Sequence, residues 1–127
     1  MTAWTSDELD KIGAADELEL ASLRRDGTLR NPVIIWVVRY GDDLYVRPFK
    51  GRTSAWFRRT QARREGRIRA GDVEKDVTFV DADHDIDGQL DIVYRTKYRR
   101  YGARFVNLMV SPEARAATIK LVPRATT

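Results

Sequence analysis

A chain of 127 residues is long enough for one domain around a single core, and its 43% hydrophobic residues favour a folded protein over a disordered one. The absence of cysteine excludes disulfides, thiolate catalysis and zinc–thiolate sites. The net charge of +4 is modest, no apolar run approaches the ~20 residues of a membrane helix, and the N-terminus lacks the pattern of a signal peptide. We therefore expect a single domain over residues 1–127 in a cytoplasmic protein with no membrane contact.

The first predicted elements are a short helix and a strand. Thr5 and Glu8 have the spacing of a capping box, and Gly13 is a natural end for the helix that they begin. Residues 17–24 alternate between polar and apolar side chains, as expected for a strand. The dipeptide Asp26-Gly27 then predicts a hairpin turn.

Two strands are predicted in the middle of the chain. The run Val33–Val38 is apolar at every position, short and rich in β-branched residues, which predicts a strand buried on both faces. Residues 44–47 alternate in polarity, so Leu44 and Val46 are expected to face the core while Arg47 lines the other face.

A helix and a further strand follow. The helix is predicted from Ala55 to about Glu65, with Gly66 as its end, and residues 67–69 form too short a segment to assign. Residues 73–82 have the alternation of another strand.

The C-terminal third begins with the clearest helical pattern. Between Leu90 and Tyr101, large side chains recur at helical spacing, and Gly102 is the expected end. Residues 103–110 fit a helix or a strand, and Ser111-Pro112 predicts a cap followed by a short helical turn. With a final strand at residues 117–122, the order of elements predicts an α+β, mainly β fold, a small antiparallel barrel with flanking helices.

The loop after residue 47 is the candidate anion site. Gly51 permits close approach of a ligand, and Ser54 begins a helix whose N-terminal N–H groups attract negative charge. Positive charges and hydroxyl donors are supplied there by Arg47, Lys50, Arg52, Thr53 and Ser54. A phosphate or carboxylate suits this set, and a solvent-exposed basic turn with an ordinary serine cap is the alternative.

Four further residues are candidates for a ligand pocket. Trp56 either stacks on a flat heterocycle or packs in the core. Lys97 lies within the apolar stripe between Tyr94 and Tyr98, where it either extends to the edge of the interface or meets a buried acid or a ligand anion. The tyrosine hydroxyls need partners, as they would find in a polar pocket wall.

Charged residues are distributed unevenly. Residues 58–69 contain six arginines and one glutamate, whereas residues 72–91 contain eight acids and one lysine. This asymmetry indicates either a polyanion partner or two solvated surfaces that attract each other. The modest net charge and the neighbouring acidic segment make nucleic-acid binding a weaker hypothesis.

No metal site is expected. Asp83–Gly88 matches the first six positions of a helix–loop–helix calcium site, but Tyr94 stands where such a loop requires a bidentate glutamate. His84 is the only histidine and lies among aspartates in this predicted loop, so a Ser–His–Asp hydrolase is disfavoured.

Several short stretches together resemble a known family. They are Arg25-Asp26-Gly27 with Arg30, Ile35–Val38, Leu44–Arg47, Gly51 with Ser54 and Trp56, Ile86-Asp87, Tyr94–Tyr98, and residues 117–123. In these features the chain resembles domain-of-unknown-function family 2255, small proteins related to the split-barrel flavin-binding superfamily. Residues 45–56 are also similar to the strand–loop–helix of deazaflavin-dependent nitroreductase-like proteins, in which this stretch contacts the phosphate.

The resemblance implies a six-stranded antiparallel split barrel, often dimeric, that binds FMN or a deazaflavin by its phosphate. The implied cofactor-binding residues are Arg47, Lys50, Gly51, Thr53, Ser54 and Trp56, and the implied substrate side is lined by Tyr94, Lys97 and Tyr98. The leading hypothesis is a homodimeric flavin-type oxidoreductase. A cofactor-free barrel that binds a small anionic metabolite or a protein partner is the second hypothesis, and a basic nucleic-acid-binding module is the third.

Overall fold

Seven strands form one antiparallel sheet in the computed structural model, which describes residues 3–124. The strands are β1 (Leu18–Ser22), β2 (Val33–Ile35), β3 (Val38–Tyr40), β4 (Asp43–Val46), β5 (Glu65–Ala70), β6 (Val73–Asp81) and β7 (Ile119–Pro123). The helices are α1 (Ser6–Ala14), α2 (Ala55–Ala62), α3 (Asp87–Lys97), α4 (Ala103–Met109) and α5 (Pro112–Ala116). The strand order is β2-β1-β5-β6-β7-β4-β3, and every neighbouring pair is antiparallel. The predicted α+β, mainly β class is confirmed.

One kinked strand joins the two edges of the sheet. β2 and β3 stand at opposite ends of the strand order, yet only Trp36 and Val37 separate them in the chain. The run pairs with β1 through Leu18↔Ile35, then changes partner and pairs with β4 through Val38↔Tyr45. The sheet must therefore curl into a barrel, and with β2 and β3 counted as one strand it has the expected six strands.

The prediction that Val33–Val38 is buried on both faces is wrong. Val37 and Val38 are fully buried, but the Ile34 side chain is 63% exposed. The run forms two sheet edges instead of a central strand, so the outer face of β2 is left open. This run is apolar at every position because Val33–Trp36 line a pocket, whereas Val37 and Val38 lie in the core.

The core has two parts, one inside the barrel and one between β3–β4 and the helices. The first part includes Leu44 and Val46, as predicted, and the second includes Tyr45. The alternation of β4 therefore places successive side chains in different cores.

The predicted N-terminal cap is confirmed. The Thr5 hydroxyl accepts a hydrogen bond from the Glu8 N–H (3.1 Å), and the Glu8 carboxylate accepts one from the Thr5 N–H (2.9 Å). The indole of Trp4 donates to the carbonyl of Leu121 in β7 (3.0 Å), which anchors the start of α1 on the barrel.

The prediction that Gly66 ends the second helix is wrong. α2 ends at Ala62, and Gly66 lies in β5, which also contains residues 67–69, the segment that was too short to assign. A Cβ atom at Gly66 would lie 2.2 Å from the Ala21 carbonyl oxygen and 2.8 Å from the Phe79 ring. This glycine is needed because the neighbouring strand and an aromatic ring approach its backbone closely.

The C-terminal third follows the prediction, with one shift. α3 ends at Lys97 and is continued by a short 3-10 helix, Arg99–Tyr101, before the chain turns at Gly102. Residues 103–109 are helical, and the Ser111 hydroxyl caps α5 by accepting from the Ala114 N–H (3.2 Å).

The calcium-loop pattern does not form a loop of that type. Asp83 caps the 3-10 helix His84–Ile86, which leads directly into α3. Within residues 3–124, no group of three or more acidic or histidine side chains is arranged to hold a metal ion. Over the same residues, every helix is too short or too polar to cross a bilayer.

We expect Gly66→Ala to destabilise the protein by about 3 kcal/mol, the upper part of the range for overpacking, because the added methyl group meets a backbone carbonyl and a ring. Chemical denaturation followed by circular dichroism measures this. The control is Gly88→Ala near the start of α3, where an added Cβ has no neighbour within 4 Å. Equal stability of the two variants would contradict the packing role assigned to Gly66.

Candidate functional site

An apolar pocket of about 450 Å³ opens beside the barrel, within the range typical of small-molecule sites. It is lined by Val33, Ile34, Ile35, Trp36, Arg47, Phe49, Trp56, Phe105, Leu108 and Met109. Four of these side chains are substantially exposed, namely Ile34 (63%), Phe105 (56%), Phe49 (49%) and Leu108 (43%). The pocket is thus surrounded by apolar groups that remain in contact with solvent.

Three parts of the chain build the pocket. The open face of the kinked strand forms one wall, and the segment after β4 contributes Phe49 and, at the start of α2, Trp56. The third wall is α4, where Phe105, Leu108 and Met109 share one face because they are three and four residues apart. The strand–loop–helix junction singled out in the sequence therefore does adjoin a pocket.

Arg47 lies at the pocket but is already paired inside the protein. Its side chain is fully buried, and it donates to Asp91 Oδ1 (2.6 Å), to Thr118 Oγ1 (2.9 Å) and to the carbonyl oxygens of Met109 (3.0 Å) and Asp87 (3.3 Å). The guanidinium, directly after β4, is thus bonded to α3, to the end of α4 and to Thr118, which directly precedes β7. The role that the structure shows for Arg47 is to hold the helices on the barrel.

Asp91 is the main counter-charge of Arg47. It also accepts hydrogen bonds from Arg115, one of them at 2.8 Å. Burial opposes ionisation of Asp91, but the hydrogen bonds from Arg115 and Arg47 outweigh it and hold the pKa of the carboxyl below its ordinary value. The base of the pocket is consequently an ion pair and not a free positive charge.

The loop that contains Gly51 lies next to the pocket, because Phe49 before it and Trp56 after it line the pocket wall. Gly51 has φ +64°, and an added Cβ would lie 2.9 Å from Glu113, so the glycine permits close packing of α5. The Thr53 hydroxyl donates to the Lys50 carbonyl (2.8 Å), and Ser54 begins α2 without a side-chain capping bond. The Lys50 ammonium lies 5.7 Å from the centre of the ring of Phe49, which lines the pocket, although Lys50 itself is not a lining residue.

Tyr94, Lys97 and Tyr98 do not line this pocket but support it from behind. Tyr94 and Tyr98 are fully buried in the core between β3–β4 and the helices. The ring of Tyr98 stacks in parallel on Trp36 at 3.9 Å between ring centres, so it backs a side chain that faces the pocket. Because full burial closes them off from a ligand, the tyrosines are wall supports here and not the substrate-side lining that the resemblance implies.

Tyr98 and Lys97 also satisfy the backbone where the kinked strand changes partner. The Tyr98 hydroxyl accepts from the Val37 N–H (3.0 Å) and lies within hydrogen-bond distance of the carbonyls of Val37 (2.9 Å) and Asp16 (2.7 Å). The Lys97 ammonium donates to the Val37 carbonyl (2.6 Å), and burial lowers the pKa of this lysine to about 8. The unusual position of Lys97 in an apolar stripe is explained by this carbonyl.

Several pocket residues were not identified from the sequence. Ile34 was assigned to the core, and Phe105 and Leu108 fall in the stretch that fitted either a helix or a strand. The only available signal was that residues 103–110 carry more large apolar side chains than one buried helical face needs.

The basic and acidic segments contact each other in the folded chain. Arg64 pairs with Asp81 (3.0 Å), and Arg67 pairs with Asp76 (2.8 Å) across the β5–β6 hairpin. These pairs favour the interpretation that the uneven charge reflects surfaces that attract each other.

Comparison with protein families identifies the chain. The family described as "Uncharacterized protein conserved in bacteria (DUF2255)" matches residues 8–121. The chain belongs to this family. A comparison with curated protein sequences finds no match.

Solved structures show that this DUF2255 protein has a split-barrel fold. It is similar to an F420 reductase (TM-score 0.56, 19% identity, 94% of this chain and 93% of that chain). It is also similar to HutZ, the heme storage protein from Vibrio cholerae (TM-score 0.62, 13% identity, 95% and 91%). A third similar structure is an FAD-binding protein from Mesorhizobium loti (TM-score 0.56, 12% identity, 98% and 93%). At these identities the likeness establishes the fold, as the sequence resemblance implied.

We expect Asp91→Asn to lower the free energy of unfolding at pH 7 by about 3 kcal/mol or more, because it leaves Arg47 buried without its main counter-charge. The folded-state pKa of Asp91 is depressed, so its contribution is present above the unfolded pKa of ~3.9 and is lost as the pH falls through the folded value. The difference in free energy of unfolding between the wild-type protein and Asp91→Asn should therefore become smaller in acid.

Urea denaturation between pH 3 and 7 measures this dependence, with Asp85→Asn as the control because Asp85 is an exposed acid in the preceding 3-10 helix. A wild-type advantage that stays constant down to pH 3 would show that the Asp91 charge does not stabilise the fold.

Proposed function

We propose that this DUF2255 protein binds a flavin-type cofactor, FMN or a deazaflavin, and serves as an oxidoreductase. The observation that carries the proposal is the apolar pocket of about 450 Å³ with Trp36, Phe49, Trp56 and Phe105 in its walls. Apolar walls with several aromatic rings suit a flat heterocycle. Proteins of the same fold named as an F420 reductase and as FAD-binding support this choice.

In this proposal the ring system lies in the pocket beside Trp56, and the phosphate lies at the rim. Lys50 supplies the positive charge there, and Gly51, Thr53 and Ser54 form the turn into α2 beside it. Arg47 acts indirectly, since its guanidinium is bound to Asp91 and Thr118 and holds the pocket floor in place. The cofactor supplies the redox chemistry when bound, and the chain binds it, orients it and excludes water from the ring.

The pocket suits a flavin better than a heme. Among residues 3–124, its walls contain no histidine, cysteine or tyrosine, and Met109, the only sulfur-containing residue of the lining in this part of the chain, is 9% exposed. The only histidine, His84, is not part of the wall and pairs with Asp87 (3.1 Å). A heme would thus lack the usual axial ligands in this pocket.

A cofactor-free barrel that binds a small molecule is the second candidate. The pairing of Arg47 favours it, because the part of the pocket wall formed by residues 3–124 is then an apolar surface with no unpaired charge. In this case the occupant is an apolar or aromatic metabolite whose acidic group, if it has one, meets Lys50 at the rim.

We further propose that the protein is a homodimer and that the second copy covers the pocket rim. Ile34, Phe49, Phe105 and Leu108 are 43–63% exposed and surround one opening. Apolar side chains grouped in this way are typical of protein interfaces, and a second copy would keep water away from the bound ring.

We expect purified protein to bind FMN or a deazaflavin saturably and with quenching of tryptophan fluorescence, because two of its three tryptophans lie in the pocket wall. Lys50→Ala combined with Ser54→Ala should weaken binding at least tenfold, through loss of a charge-assisted contact. The control is Lys11→Ala, since Lys11 is an exposed lysine on α1 that pairs with Asp7 and does not line the pocket.

Absence of binding to either cofactor would reject the flavin proposal and leave the apolar-metabolite candidate. Binding that the double variant leaves unchanged would reject the placement of the phosphate alone.

We expect Phe105→Glu combined with Leu108→Glu to convert the dimer into a monomer, because both side chains lie on the exposed face of α4 at the pocket rim. Sedimentation equilibrium measures the mass directly. The control is Ile92→Glu, which places one glutamate at a 64% exposed apolar residue of α3 outside the pocket wall. A wild-type protein that remains monomeric at high micromolar concentration would refute the dimer.

A further inference from the structure

One segment of the chain has several positive charges and no acid. Between Asp91 and Glu113 there is no aspartate or glutamate, whereas Arg95, Lys97, Arg99, Arg100 and Arg104 all fall in this stretch. Lys97 is bound to the Val37 carbonyl and Arg100 is paired with Asp16. The other three arginines are exposed, and among residues 3–124 none of them has a carboxylate within 4.0 Å.

Two of these arginines line a cleft where α3 and α4 meet. The cleft has a volume of about 230 Å³ and is lined by Arg95, Arg99, Ala103, Val106 and Asn107. Its polar groups are two guanidinium groups and one carboxamide, all of which donate hydrogen bonds. Val106 is buried beneath them, so the cleft has an apolar floor with donors on its walls.

α4 separates this cleft from the apolar pocket. Ala103, Val106 and Asn107 face the cleft, whereas Phe105, Leu108 and Met109 face the pocket on the opposite side of the same helix. The cleft therefore does not belong to the site already described, and its occupancy does not depend on the proposed function.

Helix electrostatics explain only part of this arrangement. Arg95 lies in the last turn of α3, where the helix dipole favours positive charge. Arg95 and Arg99 are nevertheless like charges that line the same cleft, so they repel each other unless an anion lies between them. The dipole of α3 also does not account for Asn107, which reaches the same cleft from α4.

We propose that the cleft between α3 and α4 binds a phosphate group through Arg95, Arg99 and Asn107. Planar guanidinium groups bind tetrahedral oxyanions by paired hydrogen bonds, and the carboxamide of Asn107 adds a further donor. Within residues 3–124 the cleft wall contains no carboxylate, so no anion of this part of the chain competes for the two arginines. The ligand is free phosphate or the phosphate group of a larger metabolite.

Isothermal titration calorimetry at low ionic strength tests the proposal with two probes, inorganic phosphate and adenosine monophosphate. Saturable binding of either probe at one site is expected, and their relative affinities distinguish the two sources of phosphate. Arg95→Ala combined with Arg99→Ala should weaken binding at least tenfold. Arg58→Ala combined with Arg59→Ala is the matched control, because it removes the same charge from two adjacent, exposed arginines of α2. Neither of them lines the apolar pocket or the cleft between α3 and α4.

A second variant tests the location of the phosphate site while keeping both arginines. Asn107→Asp introduces a carboxylate into the cleft and should abolish phosphate binding while the thermal midpoint shows that the fold is intact. The proposal is overturned by the absence of saturable binding to both probes. It is equally overturned by the same loss of affinity in the two double-arginine variants, which would indicate diffuse charge attraction, or by unchanged binding in Asn107→Asp.

Discussion

The arrangement of the barrel and the helices depends on the ion pair and the hydrogen bonds that the buried guanidinium of Arg47 makes. A positive charge with no solvent exposure is tolerated only when it is paired, and here Asp91, Thr118 and backbone carbonyls provide the partners. Asp91 lies in α3 and Met109 ends α4, whereas Thr118 directly precedes β7. The apolar pocket lies between α4 and the barrel, so its shape depends on the same set of bonds.

The second constraint is the closure of the barrel by a single strand. At Trp36 and Val37 the strand leaves one neighbour and joins another, which leaves backbone groups outside the regular ladder. Tyr98 and Lys97 satisfy those groups, and the stacking of Tyr98 on Trp36 fixes one wall of the pocket. Fold closure and pocket formation thus use the same few side chains.

Much of the fold was predictable because it follows from local patterns. The capping box of α1, the alternation in β4 and the helical stripe of α3 are set by neighbouring residues, and each was found in its place. Gly66 was misassigned because a glycine after a helical segment resembles a helix end, whereas its reason is the close approach of the Ala21 carbonyl in β1 and of the Phe79 ring in β6. Such contacts between remote segments leave no periodic trace in the sequence.

The site was predictable only in part for the same reason. The junction after β4 could be singled out because a strand–loop–helix junction is a local feature, and Arg47, Phe49 and Trp56 of this junction line the pocket. The internal pairing of Arg47 depends on Asp91, which lies 44 positions away, and the apolar wall depends on α4. Neither relationship is visible from spacing, so the charge of Arg47 was assigned to a ligand instead of to the core.

The two-residue link between β2 and β3, Trp36-Val37, also restricts which insertions and deletions the protein tolerates. Successive residues of a strand point to opposite faces, so one codon inserted between Ile35 and Val38 would turn every following side chain of β3 around. The exposed hairpin of residues 24–32 connects β1 to β2 and carries no such parity requirement. Among relatives, insertions and deletions should accumulate at that hairpin, while the number of residues between β2 and β3 stays the same.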